Sequence, residues 1–167
     1  KSAEQGHPIA QFMLGQAYQF GDGVPENHAT AFEWYRKAAE QGVTWAQVRL
    51  AMMLFQGQGT TKNYAEAGKW FEKAADSDKG AAVAAPQMKM MARAQDLERS
   101  SRNADALIEY GKASAHARDA KYSDLMEAAF TEIARVYSSL DPKPGLTEEG
   151  RRYLVQANTH LQDKRYN

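Results

Sequence analysis

The sequence repeats itself with a period of 36 residues, and this period constrains the fold more than any other feature. The stretch KAAEQGVTWAQ, residues 37–47, nearly copies the opening stretch KSAEQGHPIAQ, residues 1–11. Of the first 42 positions aligned at this spacing, 17 are identical, whereas chance at ordinary composition gives about three. A period of this length is typical of repeat proteins, in which each unit buries its apolar side against the next unit.

Each 36-residue unit is predicted to be two helices joined by a turn. In the first helix of a unit, apolar residues recur every four positions, which indicates one buried helical face. These residues are Ala10, Leu14 and Tyr18, and then Ala46, Leu50 and Leu54. The triplets GDG and GQG are expected to end these helices, because glycine readily adopts left-handed backbone conformations. Asn27 and Asn63 are predicted to cap the second helices, with Glu66 completing a capping-box-like pair, and Gly42 to close the first of them.

A further set of positions is expected to determine how the helices pack. Small residues let two helix backbones approach closely, while tryptophan fills the wider gaps between layers. The structural repeat positions are Leu14, Gly15, Tyr18, Gly21, Gly23, Trp34, Tyr35, Leu50, Gly57, Gly59, Trp70 and Phe71.

The repeated pattern is Ala-x3-Leu-Gly-x2-Tyr-x2-Gly-x-Gly-Val, followed by Ala-x2-Trp-Tyr-Arg-Lys-Ala-Ala-Glu-Gln-Gly. It resembles the Sel1-like repeat (SLR) family, a relative of the tetratricopeptide repeats. Residues 10–42 match almost throughout, and residues 46–75 depart at Ala51, Leu54, Thr60 and Phe71. The resemblance implies an all-α fold, a right-handed α/α superhelix (solenoid) of about four helix-turn-helix repeats. It also implies a protein that binds other proteins and rarely carries catalysis.

The second half of the chain is predicted to be a less regular continuation. The stretch 77–86 is expected to lengthen the connection between repeats, with a helix from near Pro86 to about Arg99. Asn103 is then expected to cap a helix, and Thr147 to begin the closing one. The remaining positions expected to pack or to stop helices are Met90, Met91, Ala94, Ala106, Tyr110, Ala113, Phe130, Ile133, Ala134, Tyr137, Pro142, Pro144, Gly150, Leu154 and Ala157.

We therefore predict a single repeat domain over residues 1–167. Its parts are the end of a truncated upstream repeat (1–6), a first repeat (7–42), a second repeat (43–78), an irregular third repeat (79–120) and a tetratricopeptide-like fourth pair (121–163). Because residues 1–6 correspond to residues 37–42, the chain is predicted to begin within a repeat and to be a fragment of a longer protein.

Composition argues against several classes of partner. The chain has 21 basic and 21 acidic residues and no cysteine, so neither a basic surface for nucleic acid nor a disulfide or thiolate metal site is expected. No apolar run reaches the roughly 18 residues of a membrane span, so membrane insertion is not expected either. The resemblance is to a family common in the bacterial periplasm, envelope and secreted proteins, although it also occurs in eukaryotic cells.

No motif in the sequence predicts catalysis or a cofactor. The four histidines, His7, His28, His116 and His160, have no second ligand at helical spacing. The GDG triplet lacks the Gly-Lys-Ser/Thr that a phosphate loop needs, and its recurrence as GQG favours a turn. Glu4 and Glu40 form no acid/base pair. The cluster of Met88, Met90 and Met91 could bind copper(I), but packing of an irregular core is favoured.

A candidate partner-binding face lies on the first helix of each repeat, opposite the stripe of Ala10, Leu14 and Tyr18. At 3.6 residues per turn, this second face is apolar and carries amides. In the related tetratricopeptide architecture it lines the concave surface. The predicted binding residues are Phe12, Gln16, Gln19, Trp45, Val48, Met52 and Phe55, with Ile9, Phe20 and Gln56 beside them. Burial against neighbouring helices is an open alternative for Phe12 and Val48.

The sequence thus favours a non-catalytic scaffold or adaptor that binds a peptide or partner protein on this face. An alternative is a regulatory subunit or secreted effector that modulates a partner enzyme, and a more distant one is a hydrolase. The patch could also receive the protein's own missing segment or a second copy of the chain. Self-association through the truncated N-terminal repeat is a further alternative.

Overall fold

The computed structural model describes residues 2–140 and 145–166, with side chains as far as Asp163. Over these residues the chain forms eight α-helices and no β-strand, which confirms the predicted all-α class. The predicted helix stops Pro142 and Pro144 lie outside the described residues. The helices are α1 (Pro8–Phe20), α2 (His28–Glu40), α3 (Thr44–Gln56), α4 (Tyr64–Ala74), α5 (Lys79–Arg99), α6 (Asn103–Asp119), α7 (Ser123–Ser138) and α8 (Glu148–Tyr166).

The chain divides into two compact units, Lys1–Ala85 and Pro86–Asn167, and the division falls within α5. In unit 1, α2 packs against both α1 and α3, and α3 packs against α4. In unit 2, α6 packs against α7 and α8, which also pack against each other. The candidate face of the first helices therefore lies in unit 1.

Side-chain caps begin the second helices of both 36-residue repeats, as predicted. Asn27 Oδ1 accepts a hydrogen bond from the Thr30 amide at 3.0 Å, and Asn63 Oδ1 accepts one from the Glu66 amide at 3.0 Å. The Glu66 carboxylate receives the side-chain amide of Asn63 at 3.4 Å, while the backbone amide of Asn63 donates to the Leu54 carbonyl at 2.9 Å. Asn63 and Glu66 thus bond to each other reciprocally. In a capping box the glutamate accepts from the backbone amide of the N-cap residue, whereas Glu66 accepts from the side-chain amide of Asn63.

The turns that end the helices are also the same in both repeats. Gly21 and Gly57 follow α1 and α3 with φ of 71° and 75°, so both adopt the left-handed conformation predicted for them. After α2, Gly42 has φ of 87°, and the Val43 amide donates to the Ala38 carbonyl at 3.2 Å. This is the Schellman arrangement expected of a C′ glycine.

The same turn is found 36 residues earlier. Gly6 has φ of 89°, and the His7 amide donates to the Ser2 carbonyl at 3.3 Å. A further pair of equivalent bonds was not predicted: Gln11 Nε2 donates to the Ala3 carbonyl at 3.2 Å, and Gln47 Nε2 donates to the Ala39 carbonyl at 3.3 Å. The repeat in sequence is therefore a repeat in hydrogen bonding.

Helix α5 corrects the prediction for residues 77–86. The helix begins at Lys79 rather than near Pro86, and Pro86 lies inside it. Asp78 starts the helix, because its Oδ1 accepts the Ala81 amide at 2.8 Å. The segment that precedes Pro86 is rich in alanine, the strongest helix former. Ala81, Ala84 and Ala85 are also buried, so local propensity and packing together outweigh the cost of an interior proline.

The predicted cap at Asn103 is also wrong. Asn103 is the first residue of α6, and the N-cap position is occupied by Arg102, which makes no side-chain cap. The turn before it is tight, with Ser101 at a φ of 59° and the Arg102 amide bonded to the Leu97 carbonyl at 2.8 Å. The Arg102 side chain pairs instead with Asp105 of the first helical turn, at 2.8 Å.

Most predicted core positions are buried, but the two tryptophans differ. Trp70 is 8% exposed, whereas Trp34 is only half-buried, and so it does not fill a closed gap as predicted. Each ring carries a lysine over its face, Lys73 Nζ at 3.9 Å from the Trp70 centroid and Lys37 Nζ at 4.3 Å from that of Trp34. The covering lysines are equivalent in the two repeats, while the depth of the rings is not.

Unit 2 has its own close helix contact, which the sequence reasoning missed. Tyr153 of α8 is buried, and its ring lies so close to Gly111 of α6 that a Cβ there would come within 2.1 Å of it. Met88 and Met91 are fully buried, as expected for packing residues. Of the three residues of the closing helix that were predicted to pack, Gly150 and Ala157 are buried and Leu154 is half-buried.

Candidate functional site

The predicted binding residues lie on α1 and α3, and we call them together the α1–α3 face; Phe12 of α1 and Trp45 of α3 are in ring contact across it. It consists of Phe12, Gln16, Gln19, Trp45, Val48, Met52 and Phe55. Trp45 is 66% exposed and Met52 36% exposed, while the other five are half-buried.

An aromatic cluster joins the two repeats at this face. The Phe12 ring lies 6.1 Å from the Trp45 ring and 5.7 Å from the Tyr35 ring, centroid to centroid, with tilted planes at both contacts. Such tilted pairs add stabilisation beyond the apolar area they bury. Phe12 therefore supports the exposed Trp45 from one side, so that Trp45 is held in place although most of its surface faces solvent.

Tyr35 fixes the polar part of the face. Its side chain is fully buried against Gly15, where a Cβ would come within 2.7 Å of the ring. Its hydroxyl donates to Gln19 Oε1 at 2.7 Å. Burial raises the pKa of Tyr35 to about 12, although the positive charge of Arg49 lowers it. Tyr35 is thus a neutral donor at physiological pH, and it orients the Gln19 amide.

Arg49 is a member of this site that sequence reasoning missed. It lies one turn after Trp45 on α3, is half-buried, and is close enough to Tyr35 to influence the phenol. It is also the only charged residue in α1 and α3. The signal was present in the sequence, since one cation in two otherwise neutral helices is conspicuous.

Three further exposed residues extend the apolar surface along α1. Ile9 is 52% exposed, and Met13 and Phe20 are each 62% exposed. Ile9 and Phe20 were expected beside the face, but Met13 was not. At 100° per residue, Ile9, Met13 and Phe20 fall within about 40° of one another. In the 36-residue alignment, Met13 occupies the position of Arg49.

Comparison with known proteins identifies the repeat. The profile of the Sel1 repeat matches residues 8–43 and 46–79. Residues 8–43 and 46–79 are therefore Sel1 repeats. This confirms the resemblance found in the sequence, and with the eight helices it confirms the fold class as an all-α helical repeat solenoid of the tetratricopeptide-like kind.

Two solved structures that match the chain also contain Sel1-type repeats. A Sel1 repeat protein from Oxalobacter formigenes is 40% identical, over 48% of this chain and 24% of its own, with a TM-score of 0.47. The protein c5321, a protective antigen present in uropathogenic Escherichia coli strains and displaying an SLR fold, is 25% identical, over 95% of this chain and 39% of its own, with a TM-score of 0.45. The chain thus spans less than half the length of either protein. No curated protein sequence matches the chain.

Outside the Sel1 repeats, the most elaborate polar cluster joins α5, α6 and α7. Tyr110 donates to Glu98 Oε1 at 2.6 Å, and the Arg135 guanidinium donates to both Glu98 oxygens at 2.9 Å and to Glu132 Oε2 at 2.6 Å. Burial and the Glu98 hydrogen bond raise the pKa of Tyr110. Burial alone would lower the pKa of Arg135, but the two carboxylates outweigh it. Each charged group of this cluster is hydrogen-bonded to a group of opposite charge, which indicates a structural role.

The four histidines belong to different elements: His7 precedes α1, His28 begins α2, His116 lies in α6 and His160 in α8. His28 Nε2 is 3.1 Å from Glu26 Oε1, and the His160 ring stacks on Phe130 at 5.1 Å. His160 also lines an open cleft of about 360 Å³ in unit 2, together with Arg118 and Val155. Among the residues with described side chains, no three His, Asp or Glu groups are placed to hold a metal ion. None of the described helices is long and apolar enough to cross a membrane.

Proposed function

We propose that this chain is a non-catalytic interaction scaffold or adaptor that binds a peptide or partner protein on the α1–α3 face. Sel1 repeats generally mediate protein–protein interaction and typically carry no catalysis. In this proposal residues 7–42 and 43–78 each supply one first helix to the binding surface. The single observation that carries it is Trp45, a tryptophan held by an aromatic neighbour but 66% exposed.

The distribution of exposed apolar residues supports this location. Of the seven large apolar side chains exposed among the described residues, five belong to α1 and α3: Ile9, Met13, Phe20, Trp45 and Met52. Single exposed apolar residues are ordinary, but a concentration on one surface is typical of interaction sites. Tryptophan in particular is enriched among the residues that dominate binding energy.

The amides on the face supply specificity to an otherwise apolar surface. Gln19 Oε1 is already engaged by Tyr35, which leaves the Gln19 side-chain nitrogen without a hydrogen bond to another described residue. Gln16 lies one turn earlier on the same side of α1. An apolar surface with fixed amide groups suits an extended peptide or an amphipathic helix, which needs both apolar anchors and hydrogen bonds.

The proposal is tested by selecting random peptides displayed on phage against the full chain. We expect peptides whose affinity falls at least about tenfold for Trp45→Ala, since a central tryptophan commonly contributes 2 kcal/mol or more. Val155→Ala is the matched control, because Val155 is similarly exposed, at 63%, on α8 of the other unit. Circular dichroism of each variant checks that helicity is unchanged. If all selected peptides bind Trp45→Ala as well as wild type, the α1–α3 face is not the binding surface.

A further inference from the structure

The charge on the α1–α3 face indicates the kind of partner it takes. We infer that the partner is a segment of another protein that places a carboxylate between two apolar anchors, and that this carboxylate pairs with Arg49. The inference rests on the proposed function.

Arg49 dominates the electrostatics of the two helices that form the face. The sequences of α1 and α3, PIAQFMLGQAYQF and TWAQVRLAMMLFQ, contain no other charged residue. The charges of α2 are Glu33, Arg36, Lys37 and Glu40, which are exposed and balanced in sign. A partner that meets the α1–α3 face therefore meets one positive charge on a neutral background, and complementarity requires a negative group opposite it.

Arg49 also lies between apolar anchors. Trp45, Arg49 and Met52 are spaced by four and three residues, so they follow one stripe of α3. From Trp45 to Met52 the stripe is about 10 Å long at 1.5 Å per residue. Trp45 and Met52 are both exposed. The complementary segment therefore has an acidic residue flanked on both sides by apolar ones.

The cation has no negative partner within the described part of the chain. No carboxylate there lies within 4 Å of the Arg49 guanidinium, although Arg36, Arg99, Arg102 and Arg135 each have one. Arg49 is nonetheless half-buried, beside the neutral phenol of Tyr35. A partly desolvated guanidinium is strongly stabilised by a carboxylate, whose two oxygens match its planar donors.

The chain offers its own control for this charge. Position 13 is equivalent to position 49 in the 36-residue alignment, and it holds methionine. Arg49→Met therefore installs the residue that the first repeat already uses there, on a helix that tolerates an unbranched side chain. Arg49→Lys keeps the positive charge but loses the planar arrangement of guanidinium donors. Met13→Arg adds a second cation at the equivalent position of the first repeat.

The test compares phage-displayed random peptides selected on the full chain and on the Arg49→Met variant. We expect the peptides from wild type to be enriched in Asp or Glu flanked by apolar residues. Their affinity should fall about tenfold or more for Arg49→Met, as for loss of a charge-assisted hydrogen bond, and Arg49→Lys should restore part of it. Affinity for wild type should fall with added salt, because partly exposed charges are screened.

Three other outcomes overturn the inference. Peptides that need Trp45 but show no acidic enrichment and no dependence on Arg49 would leave the proposed function standing and refute the carboxylate. Absence of any Trp45-dependent peptide would refute both. Trp45-dependent dimerisation in analytical ultracentrifugation, unaffected by Arg49→Met, would identify a second copy of the chain as the occupant instead.

Discussion

Residues at equivalent positions of the two Sel1 repeats have unequal surroundings. Leu50 of the second repeat is fully buried, while its counterpart Leu14 is half-buried. The same difference separates Trp70 from Trp34. Sequence identity at 36-residue spacing therefore fixes the chemistry of a position but not how much surface it buries, and the energetic value of a side chain follows the burial.

Trp34 and Trp70 test whether burial sets the contribution of a side chain to stability. Trp70→Ala should cost about 3–5 kcal/mol, since it removes a buried aromatic side chain and leaves a cavity. Trp34→Ala should cost clearly less, because much of the Trp34 ring already contacts solvent. Urea unfolding followed by circular dichroism measures the free energy of unfolding of both variants. Each variant also loses one lysine–aromatic contact, so this loss largely cancels when the two are compared. Equal losses for the two variants would show that exposure does not set their contribution.

At the scale of the elements, a glycine turn of one repeat packs on a helix start of the other. Gly59 has φ of 68°, and a Cβ at this position would lie 2.3 Å from the His28 carbonyl oxygen at the start of α2. Its counterpart Gly23 has nearly the same φ, 73°, but a Cβ there would meet nothing within 4 Å. The two glycines share a conformational requirement, and only Gly59 has a steric one.

Alanine substitution separates the two requirements. Gly23→Ala should cost about 1–2 kcal/mol, the strain of a left-handed backbone in a residue with a Cβ. Gly59→Ala should cost about 1–3 kcal/mol more, because the added methyl group also forces the turn away from α2. The midpoints of urea unfolding report both values. If Gly59→Ala proves no worse than Gly23→Ala, the turn and α2 are not in close contact in solution.

The elements also show what could be predicted from sequence and why. The caps at Asn27 and Asn63 and the glycines at 21, 42 and 57 could be predicted, because each depends on a local rule about backbone conformation. The start of α5 could not be predicted, because proline is common in the first turn of a helix but also occurs, less often, in a helix interior. The helix propensity of the alanines ahead of Pro86 and their burial decide the start together, and the burial is a tertiary effect.

At the scale of the whole chain, the period of 36 residues was sufficient for the fold class and for the helices that carry the face. It did not reveal Arg49 or Met13 as candidates for the proposed site. The predicted face covers a sector of about 100° on the helical wheel, and the equivalent positions 13 and 49 fall just outside it. Residues that distinguish one repeat from another are the ones available for specificity, so the departures from the pattern carry more information about a partner than the matches.

Burial also predicts how local stability varies along the chain. In unit 1, only Gln11 and Gly15 are buried in α1, whereas α3 has six buried residues. In unit 2, α6 has eight, while the buried residues of α8 among those with described side chains are Gly150, Tyr153 and Ala157.

Helices with few buried contacts open at lower free energy and exchange their amides faster. We expect hydrogen–deuterium exchange, followed by mass spectrometry and corrected for intrinsic rates, to show protection at least about tenfold lower in α1 than in α3, and lower in α8 than in α6. Equal protection in α1 and α3 would mean that each repeat opens as one unit, and that helix-by-helix burial does not limit opening.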